Sequence, residues 1–380
     1  MNKDNWTETL ISEIVEEVSE RVDNPSKCGL ERFVGLEDFE PGVLTIRRWS
    51  SSNNLVSAMK LFKVGDILFA RRNAYLRRAS KVDFDGICSG DAIVLRPKDL
   101  IENELIPLIL NTNTFWEYAI ANAAGTMSKR VKWRDLAKYA FMIPKTSEEQ
   151  KQIISLFQSI VTAIEQVEYQ EKNLQTLQNT LTNSLLEIIP HFGNLLNEDN
   201  ISKIKFGEVA DCIEQHDKEK RGVTRFVGLE NIESGDFKIG TWGNISDGTT
   251  FTKRFKFGDI LFGKRRSYLK KVAVADFEGI CSGDILVFRA KMDAILPELL
   301  PYYVASDAFI QHAVTTSAGS LSPRTKWKDL KEFEFSIPDL KTQGMVLKVL
   351  NQIQILLEQF KEQKVTLKTI KQNLLNEILG

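Results

Sequence analysis

The sequence predicts an α+β protein: two similar domains, each followed by a long helix, with the two helices paired antiparallel as a coiled coil about a pseudo-twofold axis. Three observations carry this. The stretch GDILFARRNAYLRR at 65–78 returns as GDILFGKRRSYLKK at 258–271, an offset of 193. Within each copy, short β-rich runs bounded by glycine, such as FKVGDILFA and GICSGDAIVLR, accompany one helix-like stretch. Each copy then ends at a proline and gives way to apolar residues at alternating intervals of three and four.

The first observation extends well beyond the basic stretch. RFVGLE occurs at 32–37 and 225–230, and residues 63–91 match 256–284 at 17 of 29 positions. After one inserted residue, AGTMSKRVKWRDL (124–136) aligns with AGSLSPRTKWKDL (318–330), and Pro144 with Pro338. The copies differ most at 38–62 against 231–255, and at 93–123 against 286–317. A period this long exceeds the roughly 20–50 residues of solenoid repeats, so each copy is a globular domain.

The helical segments follow. Thr146 and Glu149 have capping-box spacing. Ile153, Phe157, Ile160, Ile164 and Val167 lead to a slip near Glu171, after which Leu174, Leu177, Leu181, Leu185 and Ile188 run on until Pro190 and Gly193. The second run is Val346, Val349, Ile353, Leu356, Phe360, Gln363, Leu367, Ile370, Leu374 and Ile378. Sustained heptads predict two coiled-coil helices, the first roughly 66 Å long at 1.5 Å per residue. The expected order is a domain over 1–145, a helix over 146–190, a linker over 191–205, a second domain over 206–338 and a second helix over 339–380.

Composition narrows the function. The apolar fraction of 43% suffices for real cores, and no apolar run is long enough to span a membrane. The start, MNKDNWTETLISEIVEEV, lacks a signal-peptide pattern. Four cysteines without CxxC or zinc spacing predict reduced thiols and a cytoplasmic location. The net charge of −1 hides an uneven distribution: residues 28–143 carry 17 basic and 13 acidic groups, residues 206–337 carry 19 of each. Local clustering therefore decides whether nucleic acid is a partner.

Three features approach catalytic patterns without completing them. GDILFGKR at 258–265 approaches the phosphate-binding GxxxxGK[ST] pattern, but Arg265 takes the hydroxyl position and the first copy has Ala70 and Arg71. Cys88 and Cys281 share a GICSGD context, yet His191, His216 and His312 have no counterparts in the first copy, so buried core cysteines explain the pair better. Asp66, Asp91, Asp259 and Asp284 each follow a glycine, where aspartate closes turns more often than it binds metal. The expectation is no catalytic residue, no metal site and no cofactor in this chain.

The basic clusters are the stronger signal. Arg71, Arg72, Arg77 and Arg78 surround Tyr75, and Lys264, Arg265, Arg266, Lys270 and Lys271 surround Tyr268. A second set, Ser128, Lys129, Arg130 and Lys132 with Ser322, Arg324 and Lys326, lies in a glycine-led loop before Trp133 or Trp327, read as core anchors. Charge persists while Arg and Lys exchange, which suits phosphate contact. The variable segments between these clusters are where base readout could sit.

On FVGLE, GDILFARRNAYLRR, DFDGICSGD, AGTMSKRVKW and their second copies, each followed by a heptad helix, the chain resembles the specificity subunits of type I restriction–modification systems over essentially its whole length. The resemblance implies two target-recognition domains and an antiparallel pair of spacer helices. It implies a non-catalytic subunit that reads a bipartite double-stranded DNA site and docks two methyltransferase subunits. Those partners carry S-adenosylmethionine, and motor–nuclease subunits join them in complexes that also cleave DNA. The duplicated aspartates keep a metal-dependent nuclease as the alternative, and a DNA-binding scaffold of another defence or methylation complex as the next.

Overall fold

The computed structural model describes residues 3, 5–126, 128–186, 192, 195, 196 and 200–380. It divides into two compact units, one of Met1–Glu168 with Glu362–Gly380, the other of Tyr169–Lys361. Each long helix is thus shared between units, and each unit holds one domain with part of both helices.

In the first unit a four-stranded antiparallel sheet has the order Val15–Val18, Ala92–Pro97, Ile67–Ala70, Ala79–Lys81. Ile67–Ala70 is buried at every position because the sheet has a core on each face. Alternate side chains of a strand point to opposite faces. Ile67, Phe69, Ile93 and Leu95 therefore join the core beneath the helices, while Leu68, Ala70, Ala92 and Val94 join the core beneath a second sheet. A strand covered on both sides needs an unbroken apolar run, which is what ILFA supplies. Phe69 stacks on Trp116 at 5.2 Å and meets Phe115 edge-on at 6.0 Å.

The second sheet has the order Arg21–Val22, Met59–Phe62, Gly86–Cys88, Arg32–Val34, Ser50–Ser51, with one parallel pairing, Phe33 opposite Ile87 and Val34 opposite Cys88. Gly86 is required there: a Cβ would stand 2.6 Å from the Phe62 ring and 2.7 Å from the Arg32 carbonyl oxygen. A two-stranded ribbon pairs Trp6–Leu10 with Ala140–Pro144 and closes the domain at the start of the long helix.

The second unit repeats this plan. Its four-stranded sheet has the order Ala210–Cys212, Ile285–Ala290, Ile260–Gly263, Val272–Val274. Its other sheet has the order Gly243–Asn244, Arg225–Val227, Gly279–Cys281, Lys253–Phe255, again with one parallel pairing, between Phe226–Val227 and Ile280–Cys281. Five residues of the segment read as a linker are strand: Ile201–Lys205 pairs with Glu334–Pro338 as Trp6–Leu10 does with Ala140–Pro144.

The long helices run Ser147–Ser184 and Leu340–Leu379. The Thr146 cap forms, its Oγ accepting from the Glu149 backbone N–H at 3.3 Å and its hydroxyl donating to the Glu149 carboxylate at 2.9 Å. The predicted stop at Ile188, Pro190 and Gly193 lies outside the described residues. Within each unit the helices are antiparallel. Glu168 meets Lys368 at 3.0 Å while Ile153 and Phe157 share a core with Leu375 and Leu379; in the other unit Gln178 bonds Gln354 while Leu181 and Leu185 share a core with Val346 and Leu350.

The predicted seam needs correction at several places. Leu177 is 45% exposed, and Gln178 takes the buried position. In the second helix Leu350, Leu357, Leu375 and Leu379 are buried, whereas Val349 and Ile370 face solvent. The cause is that each helix packs on a domain core as well as on its neighbour, which turns its buried face away from a two-helix seam.

Candidate nucleic-acid interface

Where Ile67–Ala70 ends, the chain bends twice. Asn73 (φ 57°) and Arg77 (φ 51°) adopt the left-handed conformation on either side of a tight turn over Ala74–Leu76; Arg266 (φ 52°) and Lys270 (φ 50°) do the same around Ser267–Leu269. Left-handed backbone at a non-glycine residue costs about 1–2 kcal/mol, and the same cost falls at the same two places in both copies. The bend leaves Tyr75 65% and Tyr268 54% exposed.

The second basic loop lies alongside. The Asn73 N–H donates to the Lys129 carbonyl at 3.1 Å and the Val131 N–H to the Arg71 carbonyl at 2.9 Å. In the other domain Arg266 donates to Pro323 at 2.9 Å and Thr325 to Lys264 at 3.1 Å. Two basic segments more than fifty residues apart in sequence thus form one surface in each domain.

An aspartate fastens each pair of loops. Asp91 accepts from Arg130 Nε and Nη2 at 2.8 and 3.2 Å and stands 3.9 Å from Arg71 and 3.7 Å from Arg72. Asp284 accepts from Arg324 at 2.7 and 3.1 Å and stands 3.6 Å from Arg265. The hydrogen bonds from Arg130 and Arg324 hold both carboxyls below the usual carboxylate range, against the opposing effect of burial. Serine adds a second fastening: Arg72 Nε donates to Ser128 Oγ at 2.7 Å, and Arg265 donates to Ser322 Oγ at 3.2 and 3.3 Å.

Other members of the clusters are engaged inside their own domain. Arg78 donates to the Leu36 carbonyl at 2.8 Å and Lys271 to the Leu229 carbonyl, both carbonyls belonging to the RFVGLE repeat. Burial lowers the Arg78 pKa. Arg77 donates to Asn113 Oδ1 at 2.7 Å, and Lys270 pairs with Asp307 at the equivalent position. The exchange of Arg for Lys at these two places has a local reason: a carbonyl or side-chain oxygen accepts from either head group. Among the described residues, the side-chain cations of Lys129, Lys132, Arg266 and Lys326 have no hydrogen-bond or ion-pair partner and face solvent. Lys264 is half-buried. Trp133 and Trp327 are partly buried at the edges of the two cores, Trp327 against Phe206 and Phe288.

The remaining aspartates close turns and anchor arginines. Asp66 Oδ2 accepts the Lys63 N–H at 2.8 Å, and the same carboxylate takes Arg96 in a fork at 2.8 and 2.9 Å; Asp259 repeats this with Lys256 and Arg289. Burial pushes the Cys88 and Cys281 thiols up to about 12, far from a nucleophile's range. Among the described residues, no three or more His, Cys, Asp or Glu side chains are grouped as a metal site would need.

Two features were missed in the sequence. One is the role of Asp91 and Asp284 as organisers of the basic loops. The other is an Arg–Trp–Phe cluster, Arg32 with Trp49 and Phe84, repeated as Arg225 with Trp242 and Phe277. All three residues obey the 193 offset, and Trp49 and Trp242 do so inside the segments where the copies differ most.

Comparison with known proteins agrees with this architecture. The family model for the type I restriction modification DNA specificity domain matches residues 51–175 and 199–369. The type I restriction enzyme EcoDI specificity subunit of Escherichia coli is 29% identical over 159 residues, 41% of this chain; the match spans only about a third (35%) of that relative's length. Two solved structures share the fold across nearly the whole chain. One, from a study of complex assembly and conformational transition of the type I R-M system, has a TM-score of 0.57 at 20% identity, covering 98% of this chain and 97% of its own. The type I restriction-modification S subunit from M. genitalium has a TM-score of 0.54 at 13% identity, covering 100% and 98%.

Proposed function

The chain belongs to the type I restriction modification DNA specificity family, and from that premise we propose that it is the non-catalytic subunit that gives a type I restriction–modification complex its DNA sequence specificity. Each domain reads one half of a bipartite duplex site. Two methyltransferase subunits, which carry S-adenosylmethionine, dock on the chain, and motor–nuclease subunits join them in a complex that also cleaves DNA.

The observation that carries the reading is the duplicated pair of basic loops, each fastened by one aspartate and each presenting unpaired cations beside an exposed tyrosine. Phosphates are held by such cations without regard to sequence, and base edges are read by what lies between them. In this reading Lys129, Lys132, Arg266 and Lys326 meet the DNA backbone, and Arg72 and Arg265, held by serine and aspartate, support them from behind. Tyr75 and Tyr268 pack on the sugar–phosphate chain, and Arg77, Arg78, Lys270 and Lys271 hold the loops in shape. The duplicated aspartates that a nuclease would need already spend their oxygens on arginines.

Methylome sequencing of cells with and without this chain tests the proposal. One bipartite motif should be methylated in its presence and unmodified in its absence. Exchanging segments 38–62 and 93–123 for those of another family member should then alter one half of the motif and leave the other. An unchanged methylome on deletion overturns the reading.

A further inference from the structure

Arg32 lies over two aromatic rings at once, its guanidinium carbon 4.6 Å from the Trp49 ring centre and 4.7 Å from that of Phe84. Arg225 lies over Trp242 at 4.3 Å and Phe277 at 4.9 Å. Sheet register builds the cluster. Arg32 pairs with Ser51 and Arg225 with Asn244, and each tryptophan stands two residues before that partner, on the same face and diagonally adjacent. The phenylalanines come from the chain leading into the neighbouring strand and pack on core rings, Phe84 on Phe62 at 5.7 Å and Phe277 on Phe255 at 5.6 Å.

Three facts set these arginines apart. Neither guanidinium has a carboxylate or hydrogen-bond partner among the described residues, whereas those of Arg96, Arg130, Arg289 and Arg324 are each forked onto an aspartate. The tryptophans remain open to solvent, 46% for Trp49 and 43% for Trp242. The cluster persists in both copies although the segments that supply the tryptophans have diverged around them.

We propose that Arg32 with Trp49 and Arg225 with Trp242 form a second backbone-phosphate contact in each domain, separate from the basic loops. A guanidinium stacked on rings has its stem and plane fixed, so its N–H fork reaches an anion with little further loss of rotamer freedom. The absence of an internal acid leaves its charge for that anion. A group identical in both domains cannot be what makes two half-sites differ in sequence, so phosphate rather than a base edge is the ligand. This inference rests on the DNA-reading function proposed above.

The test uses the full-length chain and a random-sequence duplex of about forty base pairs, with affinity measured across salt concentrations. Each neutralised phosphate contributes about 0.9 to the slope of log affinity against log salt. Arg32→Met and Arg225→Met should each lower the slope by about 0.9 and together by about 1.8, with thermal unfolding close to the parent's. Arg32→Lys, which keeps the charge, should keep the slope. Duplex binding with an unchanged slope in the double Met variant overturns this inference and leaves the DNA reading standing. A parent chain that binds no duplex at low salt overturns both. A methylated motif relaxed at one position by Arg32→Met assigns a base contact and overturns the phosphate assignment.

Discussion

The first domain ties the Arg77 guanidinium to the neutral amide of Asn113, whereas the second ties the Lys270 ammonium to the carboxylate of Asp307. The backbone around the two is the same: both residues are left-handed, and both partners are the first residue of a helix capped by the preceding Thr112 or Ser306. The chemistry of the tether has changed while its geometry has not. Repetition of charge in a duplicated sequence can therefore record a framework duty, and cations that face the ligand must be sought among those with no internal partner. The same holds for Arg78 and Lys271, each bonded to a carbonyl of the RFVGLE repeat.

The largest expected effect tests whether the two frameworks are equivalent. Asp66 and Asp259 are 2% and 1% exposed, and each holds a forked arginine and a backbone N–H. Removing one partner of a buried pair costs about 3–5 kcal/mol. Arg96 and Arg289 retain some solvent contact, which places Asp66→Ala and Asp259→Ala at about 3 kcal/mol, the low end of that range. Each loss should fall on the substituted domain alone, read by hydrogen exchange of strand amides in both domains. A cost under about 1 kcal/mol in one domain, or an equal loss in both from one substitution, breaks the equivalence.

A smaller effect concerns pH. The Asp91 and Asp284 carboxyls are held below their ordinary value of about 3.9, first by the Arg130 and Arg324 hydrogen bonds. A carboxyl with a depressed folded pKa adds stability that is present above the unfolded value and lost as the pH falls through the folded one. The paired loops should therefore stay fastened at neutral and mildly acid pH and loosen below about pH 4, together in both domains. Exchange of the Asn73 and Val131 amides, and of Arg266 and Thr325, reports this directly. Asp91→Asn should remove the pH dependence from the first pair only. Loosening of one domain well above the other would show that the two aspartates do different work.

How far the sequence reveals this molecule depends on whether a feature repeats along the chain or across space. The duplication, the heptads and the Thr146 cap are linear patterns, and they foretell both domains and both helices. Heptad counting places Leu177 in the seam because it assumes a single seam, while the helix also packs on a domain core that no local pattern announces. The strand Ile201–Lys205 was hidden because its partner, Glu334–Pro338, lies more than a hundred residues away. Both basic loops were legible as clusters of charge. Their joining by Asp91 was not, since a turn-closing aspartate and a loop-fastening one look alike until Arg130 is brought beside it. Arg32 and Trp49 escaped for the same reason, as their contact is set by sheet register.

The smallest expected effect returns to the two tethers and uses salt to tell them apart. Screening acts on a pair of charges far more than on a charge and a neutral amide, and the screening length falls from about 8 Å at 0.15 M to about 3 Å at 1 M ionic strength. Lys270 and Asp307 are 43% and 60% exposed, so their pair lies within reach of solvent ions. An exposed ion pair contributes about 0.2–1 kcal/mol at low salt, and Lys270→Met should lose that much at low salt and almost nothing at 1 M. Arg77→Met removes a hydrogen bond to a neutral acceptor, about 1 kcal/mol, and should cost the same at both. Because Arg77 and Lys270 share the left-handed backbone, the strain of placing methionine there cancels in the comparison. Denaturant unfolding of the two variants at two salt concentrations measures the difference. Equal salt dependence would mean that the two tethers do not differ in kind, and that the change from Asn113 to Asp307 carries no energetic consequence.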